Sequence, residues 1–410
     1  MNLIHEPIIK SMLDDDLYKW TMQMAFMELF PNAVGEYRFN NRGSHRFNQD
    51  FLDTLNFQIQ NVFPELRATD AEVEWFGKVC PFLKPWYLDT LRNFRYDPKG
   101  VECSLDEDSN LVWNAKGLVC EKMMWEVKMM ATISEIYFKT IDTDWSMAGQ
   151  ADLARQKANE LALNGCTFID FGTRRRRNYT TQDIVVANMK DFVPANVKGG
   201  KCGFVGTSNV YLSHKHGLVP KGTQAHEWFM AMQALEGIRN SNYYALNNWV
   251  RVYNGDLGIA LTDTLGTEQF LKNFGVRYSK LFDGVRWDSG DPYWYTDRII
   301  AHYKSMKIDS SDKTIVYSNA LDNKRAIEIQ QYCEPLPIKT AYGIGTFFTN
   351  DFRKLSALNI TSKALNMVIK LWAINGIPVV KTSDDVGKIM GDPDAIRVTR
   401  WMVNGTPLDN

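Results

Sequence analysis

Nothing in this chain of 410 residues stays apolar for long enough to cross a bilayer, which takes ~18 residues. The opening stretch Met1-Asn2-Leu3-Ile4-His5-Glu6-Pro7 has neither the basic nor the apolar region of a secretory leader. An excess of one charge is missing as well. Lys and Arg number 47 against 48 Asp and Glu, a formal net charge of -1, so no bulk field draws the chain to nucleic acid or to an acidic membrane. Cysteine is sparse and unpatterned. Cys80, Cys103, Cys120, Cys166, Cys202 and Cys333 include no CxxC, which reads as reduced thiols in a cytoplasmic protein. His214 and His216 lie two apart, but no third ligand stands at a spacing that would complete a zinc site. No GxGxxG follows a strand-like segment, which argues against an open dinucleotide-binding sheet. Low-complexity linkers and internal repeats are also absent.

What is present is an ordinary globular balance, 45% hydrophobic and 23% charged, in a length that suits two or three domains. Asp14-Asp15-Asp16 precedes an apolar stretch from Leu17 to Phe30 that Pro31 stops. The acids suit a helix start, and the all-round apolar surface predicts a buried helix between domains or subunits. Tyr18 and Lys19 are its polar exceptions, readable as a core tyrosine and a snorkelling lysine. Residues 35–40 alternate like a half-buried strand, residues 50–95 read as broken helices, and residues 101–105 and 111–113 as a hairpin. A long apolar helix spans residues 120–139. Residues 1–140 are therefore expected to form an α+β domain.

Residues 141–360 have a different texture. Strand candidates Thr167–Phe171, Cys202–Gly206, Leu218–Gly222, Ile259–Thr262, Val285–Asp288, Ile315–Ser318 and Thr340–Gly343 alternate with helical stretches. Seven such steps predict an irregular TIM-like α/β barrel of about seven parallel strands. Residues 361–410 read as a helix followed by two or three short strands, at residues 376–381, 396–398 and 401–403, that return to the N-terminal sheet.

In a βα barrel the chemistry gathers where strands run out into loops. The loop ends here hold Phe171-Gly172-Thr173-Arg174-Arg175-Arg176-Arg177, Thr207-Ser208-Asn209, Thr223 to His226, Thr262-Asp263-Thr264, Arg286 with Asp288-Ser289-Gly290-Asp291, Ser318-Asn319 and Gly343-Ile344-Gly345-Thr346. Singly, each has a plain reading: a solvated arginine face, a turn, a helix cap. Jointly they offer guanidinium groups for phosphate or carboxylate, backbone N–H groups for phosphate, and paired aspartates for Mg²⁺ or ribose hydroxyls. His226 falls in the first turn of a helix predicted to be capped by Thr223. The positive helix end there favours a neutral imidazole and stabilises an attached anion, so His226 is a candidate phosphoryl acceptor.

The ordered set Asp16-Leu17-Tyr18-Lys19-Trp20-Thr21-Met22, Phe171-Gly172-Thr173-Arg174-Arg175, Gly206-Thr207-Ser208-Asn209, Gly222 to Trp228, Arg286 to Asp291 and Gly343 to Thr346 resembles the nicotinate phosphoribosyltransferases, of the type II phosphoribosyltransferase fold. The resemblance implies transfer of a phosphoribosyl group from 5-phosphoribosyl 1-diphosphate to nicotinate, coupled to ATP through a phosphohistidine at His226. It implies His226, Arg286 and Asp288 as the catalytic set, nicotinate contacts from Tyr18, Thr223 and Arg286, and phosphoribosyl contacts from Arg174, Arg175, Ser318, Gly345 and Thr346. Phe171, Thr207, Ser208 and Asp291 complete the expected substrate-binding residues, with Mg²⁺ near Asp288 and Asp291. A cytoplasmic homodimer with no nucleic-acid or membrane partner is expected. Nicotinamide as the base, or a silent phosphosugar-binding protein, are the alternatives. One departure is noted: relatives often carry an acid where this chain has Asn319.

Overall fold

The computed structural model describes residues 4–190 and 202–405. Strands β1 (Val34–Asn41), β2 (Val101–Leu105) and β3 (Leu111–Leu118) pair antiparallel, as their alternation predicts. The β2–β3 turn is set by Asp106, whose carboxylate accepts the backbone N–H groups of Asp108 and Asn110. Strands β4 (Thr167–Asp170), β5 (Gly203–Thr207), β6 (Ile259–Leu261), β7 (Gly284–Trp287), β8 (Thr314–Tyr317) and β9 (Lys339–Ile344) form a parallel sheet in the order β5-β4-β9-β8-β7-β6. That order is cyclic, with one gap between β5 and β6.

Sequence periodicity places a seventh strand at Leu218–Gly222. Among the described residues the sheet has six strands, and this segment is not one of them. Pro220 has no N–H to give a ladder, and Gly222 sits at φ 139°. The segment nevertheless spans the gap: Lys221 N–H bonds to Thr207 O at 2.9 Å, and Thr223 Oγ1 donates to Ile259 O at 2.8 Å. The barrel is closed there by isolated hydrogen bonds instead of a ladder. Thr223 is thereby spent on closure, and the N-cap of the helix His226–Leu235 is Ala225.

After a two-residue pair, β10 (Phe352–Arg353) and β11 (Thr361–Ser362), the chain returns to the first sheet through β12 (Met367–Ile374) and β13 (Ile377–Pro378). The order there is β13-β12-β1-β3-β2. The return is as expected, and β13 falls within the stretch 376–381 read as a strand, but the other residues differ. The stretch after 360 read as helical supplies β12, a near-continuous apolar run that suits a strand covered on both faces. Residues 396–398 and 401–403, read as strands, lie in the helix Pro393–Asn404, begun by Pro393 and capped by Asp392.

The helix Leu17–Leu29 is buried from Leu17 to Ala25 and Phe26, apart from a half-buried Tyr18. The acids before it do not cap it. Asp14 makes a bidentate pair with Arg176 at 2.7 and 2.8 Å, Asp15 pairs with Lys128 at 2.6 Å, and Asp16 accepts Ser208 Oγ at 2.7 Å. Main-chain bonds add to this docking, with Leu17 N–H on Ser208 O and Val210 N–H on Asp15 O. Asp14 and Asp16 latch the N-terminal segment to the barrel, and Asp15 ties it to the helix Trp125–Thr140 of its own domain. Burial works against the Asp14 charge, but Arg176 holds its pKa below the usual carboxylate range. Removing one partner of such a buried pair strands the other, at about 3–5 kcal/mol. Asp14→Ala is expected to lower the thermal unfolding midpoint markedly, and Asp14→Ala/Arg176→Met to recover much of the loss by differential scanning calorimetry.

Candidate active site

The described strand ends converge on two facing groups of side chains. The first is built on β6, β7, β8 and the helix His226–Leu235. His226 opens that helix, and its Nε2 lies 2.8 Å from Asp263 Oδ1 and 3.7 Å from Asp288 Oδ2. Asp263 Oδ2 meets Lys381 Nζ at 2.9 Å and accepts Ser289 Oγ at 2.5 Å. Lys381 comes from the segment after β13, which is anchored to the histidine's own helix: Gln233 exchanges two hydrogen bonds with the backbone of Val380. Burial first, then Lys381, push the His226 imidazole down from 6.5 to about 4, against the pull of Asp263. Burial works against the Asp263 carboxylate, but His226 and Lys381 hold it well below its ordinary range.

Arg286 ends β7. Its Nε donates to Ser318 Oγ at 2.8 Å, its Nη2 lies 3.5 Å from Asp288 Oδ1, and its guanidinium stands 5.9 Å from the Phe171 ring centroid. Ser318 in turn reaches Asp288 Oδ1 at 3.1 Å. Phe171 is seated by the absence of a side chain beneath it, since a Cβ on Gly343 would fall 2.3 Å from its ring. Lys388 Nζ donates to Asp288 O at 2.5 Å and to Asn319 Oδ1 at 2.6 Å, so the amide at 319 has a cation as its partner.

The second group joins Tyr18, Lys19 and Glu126 of the N-terminal domain to Arg174, which follows β4, and Lys370 of β12. Glu126 Oε2 meets Lys19 Nζ at 2.6 Å, while Oε1 lies 3.7 Å from both Arg174 and Lys370. Burial opposes the Glu126 charge, but Lys19, Lys370 and Arg174 hold its pKa at about 2. Burial, with Arg174 and Lys381 nearby, brings the Lys370 ammonium down to about 8. Arg174 is raised against its burial by Tyr18, Glu126, Asp16 and Asp288, so its field spans both groups.

His226, Arg286, Asp288, Ser318 and Phe171 therefore share one contact network, with Tyr18 and Arg174 opposite. Other expected residues hold the frame. Thr207 donates to Asp170 Oδ2 and Ser208 to Asp16 Oδ1, both at 2.7 Å. Arg175 gives Nε and Nη2 to Met367 O at 3.0 and 2.6 Å. Gly345 packs beneath Phe171 O, and Thr346 begins a four-residue helix. Asp291 does not join Asp288: exposed at the surface, it caps the helix Pro292–Ser305 by accepting Trp294 N–H at 2.7 Å. Arg176 and Arg177 are buried structural groups, the first on Asp14 and the second stacked on Phe138 at 3.5 Å. His214 packs on the Trp75 ring, and His216 pairs with Asp183.

Residues 166–404 match the model of the nicotinate phosphoribosyltransferase family, and residues 13–134 match the model of its N-terminal domain. The chain belongs to the nicotinate phosphoribosyltransferase family. It is 45% identical to the nicotinate phosphoribosyltransferase of Methanosarcina mazei, over 98% of this chain and 100% of that protein. The crystal structure of nicotinate phosphoribosyltransferase from Porphyromonas gingivalis superposes with a TM-score of 0.89 at 36% identity, covering 96% of this chain and 99% of that one. That from Vibrio cholerae gives 0.88 at 31%, covering 100% and 97%.

Within this family frame, Glu126, Lys370, Lys381 and Lys388 stand in the site without any sequence motif to mark them. Asp263 was visible as a loop-end acid, but its pairing with His226 was not. Lys381 stood in a stretch read as sheet, and no local pattern distinguished it from a surface lysine. Its effect is measurable. Histidine-selective NMR should find His226 titrating near 4 in place of 6.5, and Lys381→Met should raise that value because one of the two depressing influences is gone. The sign for stability follows: the unfolded imidazole takes a proton below 6.5 that the folded one refuses until about 4, so His226 withdraws stability as pH falls through that window.

Proposed function

We propose that this chain transfers the phosphoribosyl group of 5-phosphoribosyl 1-diphosphate to nicotinate, giving nicotinate mononucleotide and diphosphate, with ATP consumed through a phosphohistidine at His226. The observation that carries the reading is the buried His226–Asp263–Lys381 row beside Asp288 and Arg286. An ionised carboxylate only accepts, so Asp263 keeps the imidazole proton on Nε2 and leaves the Nδ1 lone pair free. That nitrogen attacks the terminal phosphorus of ATP. The N–P bond forms as the bond to the bridging oxygen breaks, and ADP leaves with the electron pair. His226 opens its helix, so the positive helix end favours the new phosphoryl charge.

In the transfer step the pyridine nitrogen supplies its lone pair to the anomeric carbon. The bond to diphosphate breaks, and its electrons leave with the phosphate oxygen. Phe171 offers a flat face for the pyridine ring and Arg286 a fixed charge for the carboxylate. Arg174 and Lys370 stand ready for phosphate, and Tyr18 closes the opposite side. His226, Asp263 and Asp288 bring donor atoms within 4.8 Å of one another. Lys381 already neutralises part of that charge, so the site suits a Mg²⁺ held mainly by substrate phosphates with Asp288 as its protein carboxylate. The ion would supply charge neutralisation for the departing diphosphate.

Labelled ATP should leave acid-labile phosphate on the native chain and none on His226→Ala. Product should form with nicotinate and not with nicotinamide. Label that survives in the variant removes His226 from the pathway, and equal turnover of the amide removes the selectivity. Assembly as a homodimer in the cytoplasm is part of the proposal. Among the described residues no helix is long and apolar enough to cross a membrane. Specific activity on dilution through the dimer's dissociation range reports on the subunit boundary, and it holds constant where one chain completes the site. A fall in parallel with dissociation, followed by analytical ultracentrifugation, would assign part of the site to the partner.

A further inference from the structure

The reaction as described leaves one fully buried charge without a task. Lys19 Nζ, with no solvent exposure, sits between Glu126 Oε2 at 2.6 Å and Glu227 Oε2 at 2.5 Å. Glu227 follows His226 in sequence, and its other oxygen accepts the Tyr37 hydroxyl at 2.6 Å. Glu126 turns its other oxygen toward Arg174 Nη1 and Lys370 Nζ, at 3.7 Å from each. Those separations lie beyond a formed hydrogen bond, so one carboxylate stands near two cations without closing on either. Lys19, Arg174 and Lys370 against Glu126 and Glu227 is three cations to two carboxylates. The surplus charge falls on Arg174 and Lys370, which are 37% and 22% exposed, whereas Lys19 is sealed.

We infer that Lys19 is a positioning residue that holds Glu126 off Arg174 and Lys370, keeping both cations open to the phosphate groups of the sugar substrate. The identity of that ligand rests on the activity proposed above. Lys19 competes for Glu126 with a short, charge-assisted contact. Once it is gone, a movement of about 1 Å lets Glu126 tighten its loose ion pair with Arg174 or Lys370 into a hydrogen-bonded one, and the captured cation is withdrawn from the ligand. Helix Leu17–Leu29 then has two uses, a wall through Tyr18 and a restraint on the opposing charges through Lys19.

The test is binding of inorganic diphosphate by titration calorimetry to the native chain and three variants. Lys19→Met/Glu227→Gln removes opposite charges together and leaves an amide oxygen for the Tyr37 hydroxyl. It should weaken diphosphate binding roughly tenfold. Adding Glu126→Gln should restore affinity to within about threefold of native, because a neutral amide no longer draws the cations. Glu126→Gln alone should bind at least as tightly as the native chain. A role confined to holding the fold lowers unfolding midpoints without that rescue. Native affinity in the first variant, or no recovery in the second, overturns the assignment. Should Lys19→Met/Glu227→Gln fail to fold, weaker binding by Glu126→Gln alone overturns it and tighter binding supports it. Turnover of nicotinate by the native chain is measured separately. No product with this diphosphate series intact would sink the proposed reaction and leave the role of Lys19 standing.

Discussion

A carboxylate buried between an imidazole and an ammonium is the interaction on which the centre of this molecule depends. Asp263 has almost no exposure, and a lone buried carboxylate would take up a proton. Lys381 and His226 keep it ionised. In return Asp263 orients the imidazole and Lys381 opposes its protonation. The carboxylate keeps its charge through both partners together. The arrangement requires elements far apart in the chain: β6 for the carboxylate, a helix start for the histidine and the segment after β13 for the lysine. The exchange between Gln233 and Val380 fixes the last of these to the second.

The same physics governs how the N-terminal domain seats on the barrel. Asp14 and Asp16 leave solvent and each finds a specific partner on the barrel, so the docking is directional where an apolar contact alone would allow sliding. Docking in turn delivers Tyr18, Lys19 and Glu126 to the side of the cavity opposite His226. The site is therefore a product of the interface between the two sheets, with the barrel supplying one face and the returning strand β12 supplying Lys370 to the other.

Much of the barrel was legible because its strands are short apolar runs ending in Gly, Asp or Ser. Six of seven candidates became strands within about two residues of their expected ends. The seventh misled because Leu218-Val219-Pro220 has strand-like composition while Pro220 and Gly222 deny it a ladder. Thr223 looked like a cap because its hydroxyl oxygen can accept a helix N–H, whereas in the fold the hydroxyl donates to Ile259 O. Around β12, eight residues rich in Met, Val, Ile and Leu carry no periodicity that separates a helix from a strand buried on both faces.

The sequence by itself determined which residue types would stand at the strand ends, and with them a candidate site containing a histidine at a helix start. It did so because strand termini and turns are encoded by near neighbours. It did not determine which of those groups would face the cavity and which would be spent on the frame. Arg174 and Arg176 are two residues apart, yet one reaches the site and the other is sealed against Asp14, some 160 residues earlier in the chain. Only the tertiary structure decided that division, because a buried charge takes the partner that folding brings to it, and no local pattern records where that partner lies.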